Sequence, residues 1–204
     1  MNVLTVSVFV SGRGSNLQAI LESPKLKGLV EVRAVVGDKI DCPAFDLAKS
    51  FSIPIYCVGK KDGFISFDEL VIKLRNSGIE LIVLGGFLKL LPESFVRSFK
   101  NKIINIHPAL LPSFGGLGMY GMNVHRAVFE SSSQVSGATV HFVDESYDTG
   151  KIIAQKCVDI SDVHSPEEIA ERVLKVEHQL LPFVIEKIAL GKIFVDNFRV
   201  RVET

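Results

Sequence analysis

The sequence predicts an α/β protein: a doubly wound, mostly parallel, Rossmann-like sheet with helices on both faces and an added antiparallel hairpin. Three observations lead there. Short β-branched runs alternate with segments of helical apolar spacing, the pattern of repeated strand–helix units. The run Ile79–Leu84 is almost wholly apolar, as a central parallel strand covered on both faces must be. The first strand candidate passes directly into a glycine-rich turn and a helix start.

Val3–Val10 is rich in β-branched residues and ends at Ser11-Gly12, which makes it the first buried strand. Ser11-Gly12-Arg13-Gly14-Ser15-Asn16 then leads into Leu17, Ile20 and Leu21 at helical spacing. Free backbone N–H groups and the positive end of the helix dipole meet there, an anion site to which Ser15 and Asn16 add side-chain donors. Leu17 stands where the dinucleotide fingerprint has its third glycine, and no Gly-Lys-Ser/Thr follows, so a single phosphate suits the loop better than a pyrophosphate. A tight capped turn with no ligand is the plain alternative. Val30–Val36 is a second strand, Pro43–Ser50 a short helix, and Ile53–Val58 a third strand with Pro54 near its start. Phe67, Leu70, Val71 and Leu74 fall at i, i+3, i+4 and i+7, so that helix buries one stripe and stops near Gly78. Ile79–Leu84 ends in Gly85-Gly86-Phe87, where the backbone can approach a ligand, and Leu88 to Leu91 can offer main-chain groups to a flat heterocycle. A helix over 92–99 follows.

Ile103 and Ile104 run into Asn105-Ile106-His107-Pro108, the carboxyl end of a buried strand entering a proline-locked loop. Asn105 and His107 are two apart on a strand and share a face. The glycine-rich stretch 114–121 reads as a mobile surface loop, and 124–130 as a helix. Gly137–Val143 alternates, with Thr139 and His141 on one side and Ala138, Val140 and Phe142 on the other. It enters the acidic loop Asp144–Gly150, and Ile152–Ile160 is the second arm of the hairpin. Ser165-Pro166-Glu167-Glu168 starts a helix with Ser at the N-cap, Pro at N1 and Glu at N3. That helix carries Ile169, Val173 and Val176 inward, bends near Pro182, and sets Glu177 on or beside its inward face. Residues 192–202 form a last small hairpin around Asp196-Asn197.

A chain of 204 residues, 47% apolar and 23% charged, fits one domain over 1–204 with a substantial core. Its 23 basic and 23 acidic residues balance, so no basic surface points to nucleic acid or a membrane. Three cysteines without a C-x-x-C pair argue against a disulfide framework or structural zinc, and for a reducing, cytoplasmic setting. No leader-like start and no run of transmembrane length is present. Asn105, His107 and Asp148 offer an amide donor, an imidazole and a carboxylate without a Ser or Cys nucleophile. That set suits direct acyl-type transfer to a substrate carrying its own nucleophile, with Asn105 on the oxyanion and His107 oriented by Asp148. No metal-ligand spacing occurs. His125, His164 and His178 read as surface or capping residues, and His141 as a support for the site.

These stretches resemble the folate-dependent formyltransferases. The run Ser11–Ile20, the stretch Asn105–Pro112, the segment Gly137–Gly150 and the pair Glu177-His178 carry the resemblance, in order and over essentially the whole chain. Gly14-Ser15-Asn16 narrows it to the phosphoribosylglycinamide formyltransferases of purine biosynthesis. The resemblance implies a formyl transfer from 10-formyltetrahydrofolate to the amine of glycinamide ribonucleotide. It implies that Asn105, His107 and Asp148 are catalytic, with His107 protonated and Asp148 holding it and a proton-shuttling water. It implies that Gly14, Ser15 and Asn16 hold the ribonucleotide phosphate, Glu177 its ribose hydroxyls, and Leu88, Lys89, Leu90 and Leu91 the pterin. The partners are then small molecules alone, with no metal, nucleic acid or membrane, and monomer and homodimer both stay open. The Gly115–Gly121 loop is longer than in compact members. Two alternatives remain: a formyltetrahydrofolate deformylase, or a non-catalytic phosphate- or nucleotide-binding module. A methionyl-tRNA formyltransferase is disfavoured because its tRNA-binding domain would be appended to such a unit.

Overall fold

Leu4–Val10 forms β1, and its residues from Thr5 onward are all buried, the signature of a strand flanked on both sides. The computed structural model describes residues 2–203, and the chain divides into two units after Ile104.

The first unit continues with α1 (Ser15–Leu21), β2 (Val30–Gly37), α2 (Ala44–Ser50), β3 (Ile55–Cys57), α3 (Phe67–Asn76), β4 (Leu81–Leu84) and α4 (Glu93–Ser98). β1 pairs in parallel with both β2 and β4, and β2 with β3. The glycine loop and the Gly85-Gly86 turn therefore both follow carboxyl ends of adjacent parallel strands, where open α/β sheets bind ligands. Ser11 N–H donates to the Gly86 carbonyl at 3.0 Å and locks the two turns together. Below them, Phe9 meets Phe87 edge-on at 5.4 Å and Phe95 at 5.8 Å. α3 starts in a capping box, Ser66 accepting from the Glu69 N–H while the Glu69 carboxylate accepts from the Ser66 N–H. β3 is shorter than the run Ile53–Val58 suggests. Pro54 has no N–H to give to the ladder, although its carbonyl still accepts from Val35 at 2.9 Å.

β5 (Ile103–His107) begins in the first unit and ends in the second. The second unit adds α5 (Met122–Glu130), β6 (Val135–Phe142), β7 (Ile152–Asp159), α6 (Pro166–Ala189), β8 (Ile193–Val195) and β9 (Val200–Val202). The strands of the main sheet follow the order β3-β2-β1-β4-β5-β6-β7. β6 and β7 are the antiparallel hairpin, with Thr139 opposite Gln155 and a register shift at Val140/His141, while β8 and β9 form the separate small one. The expected class is observed: a doubly wound, mostly parallel sheet with helices around it.

α6 packs on β6, β7 and α5, and Ser165 caps it by accepting from the Glu168 N–H. It runs on as helix through Pro182, although the ring removes one intrahelical bond. Leu180, Leu181, Val184 and Ile185 are buried on either side and hold both turns in the core. Among the described residues, no helix is long and apolar enough to cross a membrane.

Candidate active site

Alternation along β5 buries Ile104 and Ile106 on one face and turns Asn105 and His107 to the other. His107 is 3% exposed. Its Nε2–H donates to the Phe114 carbonyl at 2.9 Å, so in the neutral ring the lone pair lies on Nδ1. Nδ1 faces the Asp148 carboxylate, 3.6 Å from Oδ2. That is too long for a hydrogen bond between two acceptors, and it is the place where an added proton would be held.

Asp148 is presented by the acidic loop after β6, with its backbone in the left-handed region at φ 55°. Phe114 is also left-handed at φ 55°, so the two residues meeting His107 both hold conformations that side chains other than Gly, Asn and Asp rarely take. Gly116 N–H donates to Asp148 Oδ2 at 2.9 Å. The start of the glycine-rich loop is thus fastened to the carboxylate. Gly150 closes the acidic loop because a Cβ there would sit on the Phe142 carbonyl oxygen.

His141, on β6, is the expected support of this group, in contact with Asn105 and facing Asp148. Its Nδ1–H donates to the Phe142 carbonyl at 2.8 Å, which leaves Nε2 to accept from Asn105 Nδ2 at 3.1 Å. The same Nε2 lies 3.5 Å from Asp148 Oδ1. Asn105 spends one amide hydrogen on His141.

Burial holds His107 below the ordinary histidine range, against the opposing pull of Asp148 and the Phe114 carbonyl. Burial thus favours the neutral imidazole in the free site. Asp148 lies below the usual carboxylate range. Burial would push it up, but the facing His141 imidazole, the Gly116 N–H and His107 outweigh that. His125 corrects an expectation. It is no surface residue: α5 buries it with Val124 and Val128, its Nδ1 has no hydrogen-bond partner, and burial pushes it down to about 4, with a further contribution from the charge of His107. His178 is half-buried and its Nε2 has no partner either, whereas His164 is exposed as expected. Glu177 is buried on the inward face of α6, 8% exposed.

The remaining expected residues lie in the first unit. Gly14 is the left-handed N-cap of α1 at φ 78°, and a Cβ there would fall 2.6 Å from that of Ala44. No side chain caps this helix, Ser15 is half-buried and Asn16 is buried. Leu88 and Leu90 are exposed, Leu91 is buried, and Lys89 reaches Asp38 at 3.8 Å. The Leu88 N–H is already bonded to Ser11 Oγ at 3.0 Å, so of that segment's main-chain donors this one is taken. Among the described residues, no group of three or more His, Cys, Asp or Glu is placed to hold a metal ion. All three cysteines are free thiols.

Residues 4–185 match the family described as formyl transferase. The chain is 45% identical over 195 residues to the chloroplastic phosphoribosylglycinamide formyltransferase of Arabidopsis thaliana, covering 92% of this chain and 66% of that one. It thus spans just under two thirds of the plant relative's length. It is 37% identical over 186 residues to phosphoribosylglycinamide formyltransferase of Bacillus subtilis (strain 168), covering 89% and 93%. Among solved structures, phosphoribosylglycinamide formyltransferase from Anaplasma phagocytophilum superposes with a TM-score of 0.90 at 33% identity, over 100% of this chain and 96% of that one. A formyltetrahydrofolate deformylase from Pseudomonas syringae pv. tomato reaches 0.87 at 23% identity, covering 100% and 67%. At that identity only the fold is shared, and the fold does not choose between transfer and hydrolysis.

Proposed function

We infer the reaction from the premise that this chain belongs to the formyl transferase family: it moves the formyl group of 10-formyltetrahydrofolate to the amine of glycinamide ribonucleotide. The observation that carries this is a chain of contacts: Asp148 faces His107 at 3.6 Å and His141 at 3.5 Å, Asn105 is bonded to His141 at 3.1 Å, and no Ser or Cys nucleophile is among them. Such a site can stabilise and deprotonate, and the attacking atom must come with the substrate.

In this reading the glycinamide nitrogen attacks the formyl carbon and the C=O electrons move onto oxygen. The second amide hydrogen of Asn105 donates to that oxyanion. His107 takes part as the imidazolium, its extra proton taken from solvent before the attack, held at Nδ1 by Asp148 and kept throughout, and its charge stabilises the same oxyanion. Asp148 and a water carry the proton from the attacking nitrogen to N10 of the folate, the carbon–N10 bond breaks, and tetrahydrofolate leaves. Gly14, Ser15 and Asn16 bind the ribonucleotide phosphate, a role supported by a helix start that no side chain caps. Glu177 binds the ribose hydroxyls. Leu88, Lys89, Leu90 and Leu91 border the pterin, supported by the exposure of Leu88 and Leu90. We take residues 1–204 as one formyltransferase domain, since the family match runs through both units, and place it in the cytoplasm as monomer or homodimer.

The test is turnover of purified protein with 10-formyltetrahydrofolate, with and without glycinamide ribonucleotide, followed by folate absorbance. Loss of formyl-folate only with the ribonucleotide present is the expected result. Loss without it points to a deformylase, and no loss in either mixture, with phosphate-ligand binding intact, favours a binding module.

A further inference from the structure

We propose that Gln155, on β7, is a positioning residue that sets the alignment of His107 against Asp148 through the loop joining them. The inference rests on the proposed roles of His107 and Asp148.

The loop after β5 has a turn bond of its own, from the Ser113 N–H to the Leu110 carbonyl at 3.2 Å, and is held further by side chains of β6 and β7. Gln155 Nε2 donates to the Leu111 carbonyl at 2.8 Å and to Thr139 Oγ1 at 3.0 Å, which uses both amide hydrogens. Thr139 Oγ1 donates in turn to the Ala109 carbonyl at 2.6 Å and accepts from the Leu111 N–H at 3.0 Å. A hydroxyl has one hydrogen and two lone pairs, and here all three are taken, so the direction of every bond is determined. Leu111 is thus gripped at its N–H and at its C=O, and Ala109 at its C=O, by two side chains of facing strands.

His107 stands at one end of the gripped segment and Phe114 just beyond the other. The Phe114 carbonyl accepts from His107 Nε2, so the ring at the root of the loop is braced by the loop's far end. Leu111 also sets the next contact. A Cβ on Gly115 would fall 2.5 Å from Leu111 Cδ2 and 3.2 Å from Asp148 Cβ, which shows how closely Leu111, Gly115 and Asp148 stack. Releasing Leu111 frees the Phe114 carbonyl and the Gly116 N–H together, the two main-chain groups that fix His107 and Asp148. Thr139 is fully buried and its loss would disturb the core, whereas Gln155 is an exposed-strand residue that can be changed with little loss of packing.

The experiment replaces Gln155 in the full chain with methionine, which keeps length and shape and removes both donors, and with lysine, which restores donors. Steady-state kinetics, the titration of the His107 ring by NMR (identified by its absence in His107→Asn) and the melting temperature are measured for each. Expected for Gln155→Met are KM values within about twofold and a kcat lower by about tenfold, the cost of a sub-ångström misalignment. Its His107 midpoint rises toward the ordinary histidine range, because a loosened loop admits water to the buried ring. Gln155→Lys recovers part of both. A lower melting temperature with kcat and the His107 midpoint unchanged overturns the proposal and leaves Gln155 a stabilising contact only. If wild-type protein itself transfers no formyl group, the proposed reaction fails, while the His107 midpoint still decides the tie. Should Gln155→Met not fold, Gln155→Asn, whose amide is too short to reach Leu111, makes the same comparison.

Discussion

Asp148 accepts from the Gly116 N–H and faces two imidazoles, and each of these contacts depends on its charge. Asp148→Asn keeps the shape and tolerates the left-handed backbone, so it isolates the charge. Turnover is expected to fall by about 10²–10³-fold with ribonucleotide binding, measured by calorimetry, nearly unchanged. Asn105→Ala is expected to cost a similar ~10²–10³-fold in kcat. Unchanged turnover in either variant would remove that residue from the mechanism. At this scale the sequence was informative about identity and weak about state. Asn105 and His107 on one strand face, and an aspartate in the acidic loop that follows a hairpin arm, could be seen from spacing. That His107 is pushed below the ordinary histidine range could not, because the cause is burial by residues far along the chain. His125 could have been found: with Val124 and Val128 it marks the inward stripe of α5.

Elements were predicted well where a local rule decides them. Ser165 caps α6 as Glu168 announces, and replacing Ser165 by Ala is expected to cost about 1 kcal/mol in urea unfolding. Gly150→Ala belongs to the same scale and is harsher. Its methyl group would displace the Phe142 carbonyl, which also accepts from His141, so the acidic loop must shift. We expect a destabilisation of about 1–3 kcal/mol together with lost turnover, since one carbonyl serves both packing and site. A variant with wild-type melting and activity would show that the loop yields freely. The brace from Gln155 to Leu111 was beyond reach from spacing alone. It depends on the register that sets Thr139 opposite Gln155, and the shift beside Val140 could have slipped that pairing by a residue.

Across the whole molecule, buried histidines tie stability to pH. His125 in the folded chain titrates at about 4, below the ~6.5 of an unfolded histidine, and His107 is displaced in the same direction. Above ~6.5 both states hold the neutral ring and the full stability is present. As pH falls from ~6.5 toward 4, only the unfolded chain takes up the proton on His125, so stability is lost through that window. The slope for one such group cannot exceed about 1.4 kcal/mol per pH unit. Urea midpoints between pH 7 and 4.5 should therefore fall, and fall less steeply in His125→Leu. Equal slopes would show that His125 is not buried neutral.

The glycine-rich loop has a fastened root and an open tip. Phe114 and Gly116 are bonded to His107 and Asp148, while Leu117, one residue on, is 84% exposed. Length variation along this segment is therefore unevenly tolerated. Two residues inserted after Leu117 should leave melting temperature and turnover near wild type, and the same two inserted after Phe114 should abolish turnover. Lineages free to lengthen or trim this loop can do so only beyond its anchored beginning, and that asymmetry gives a surface tag or a new specificity element one permitted point of entry.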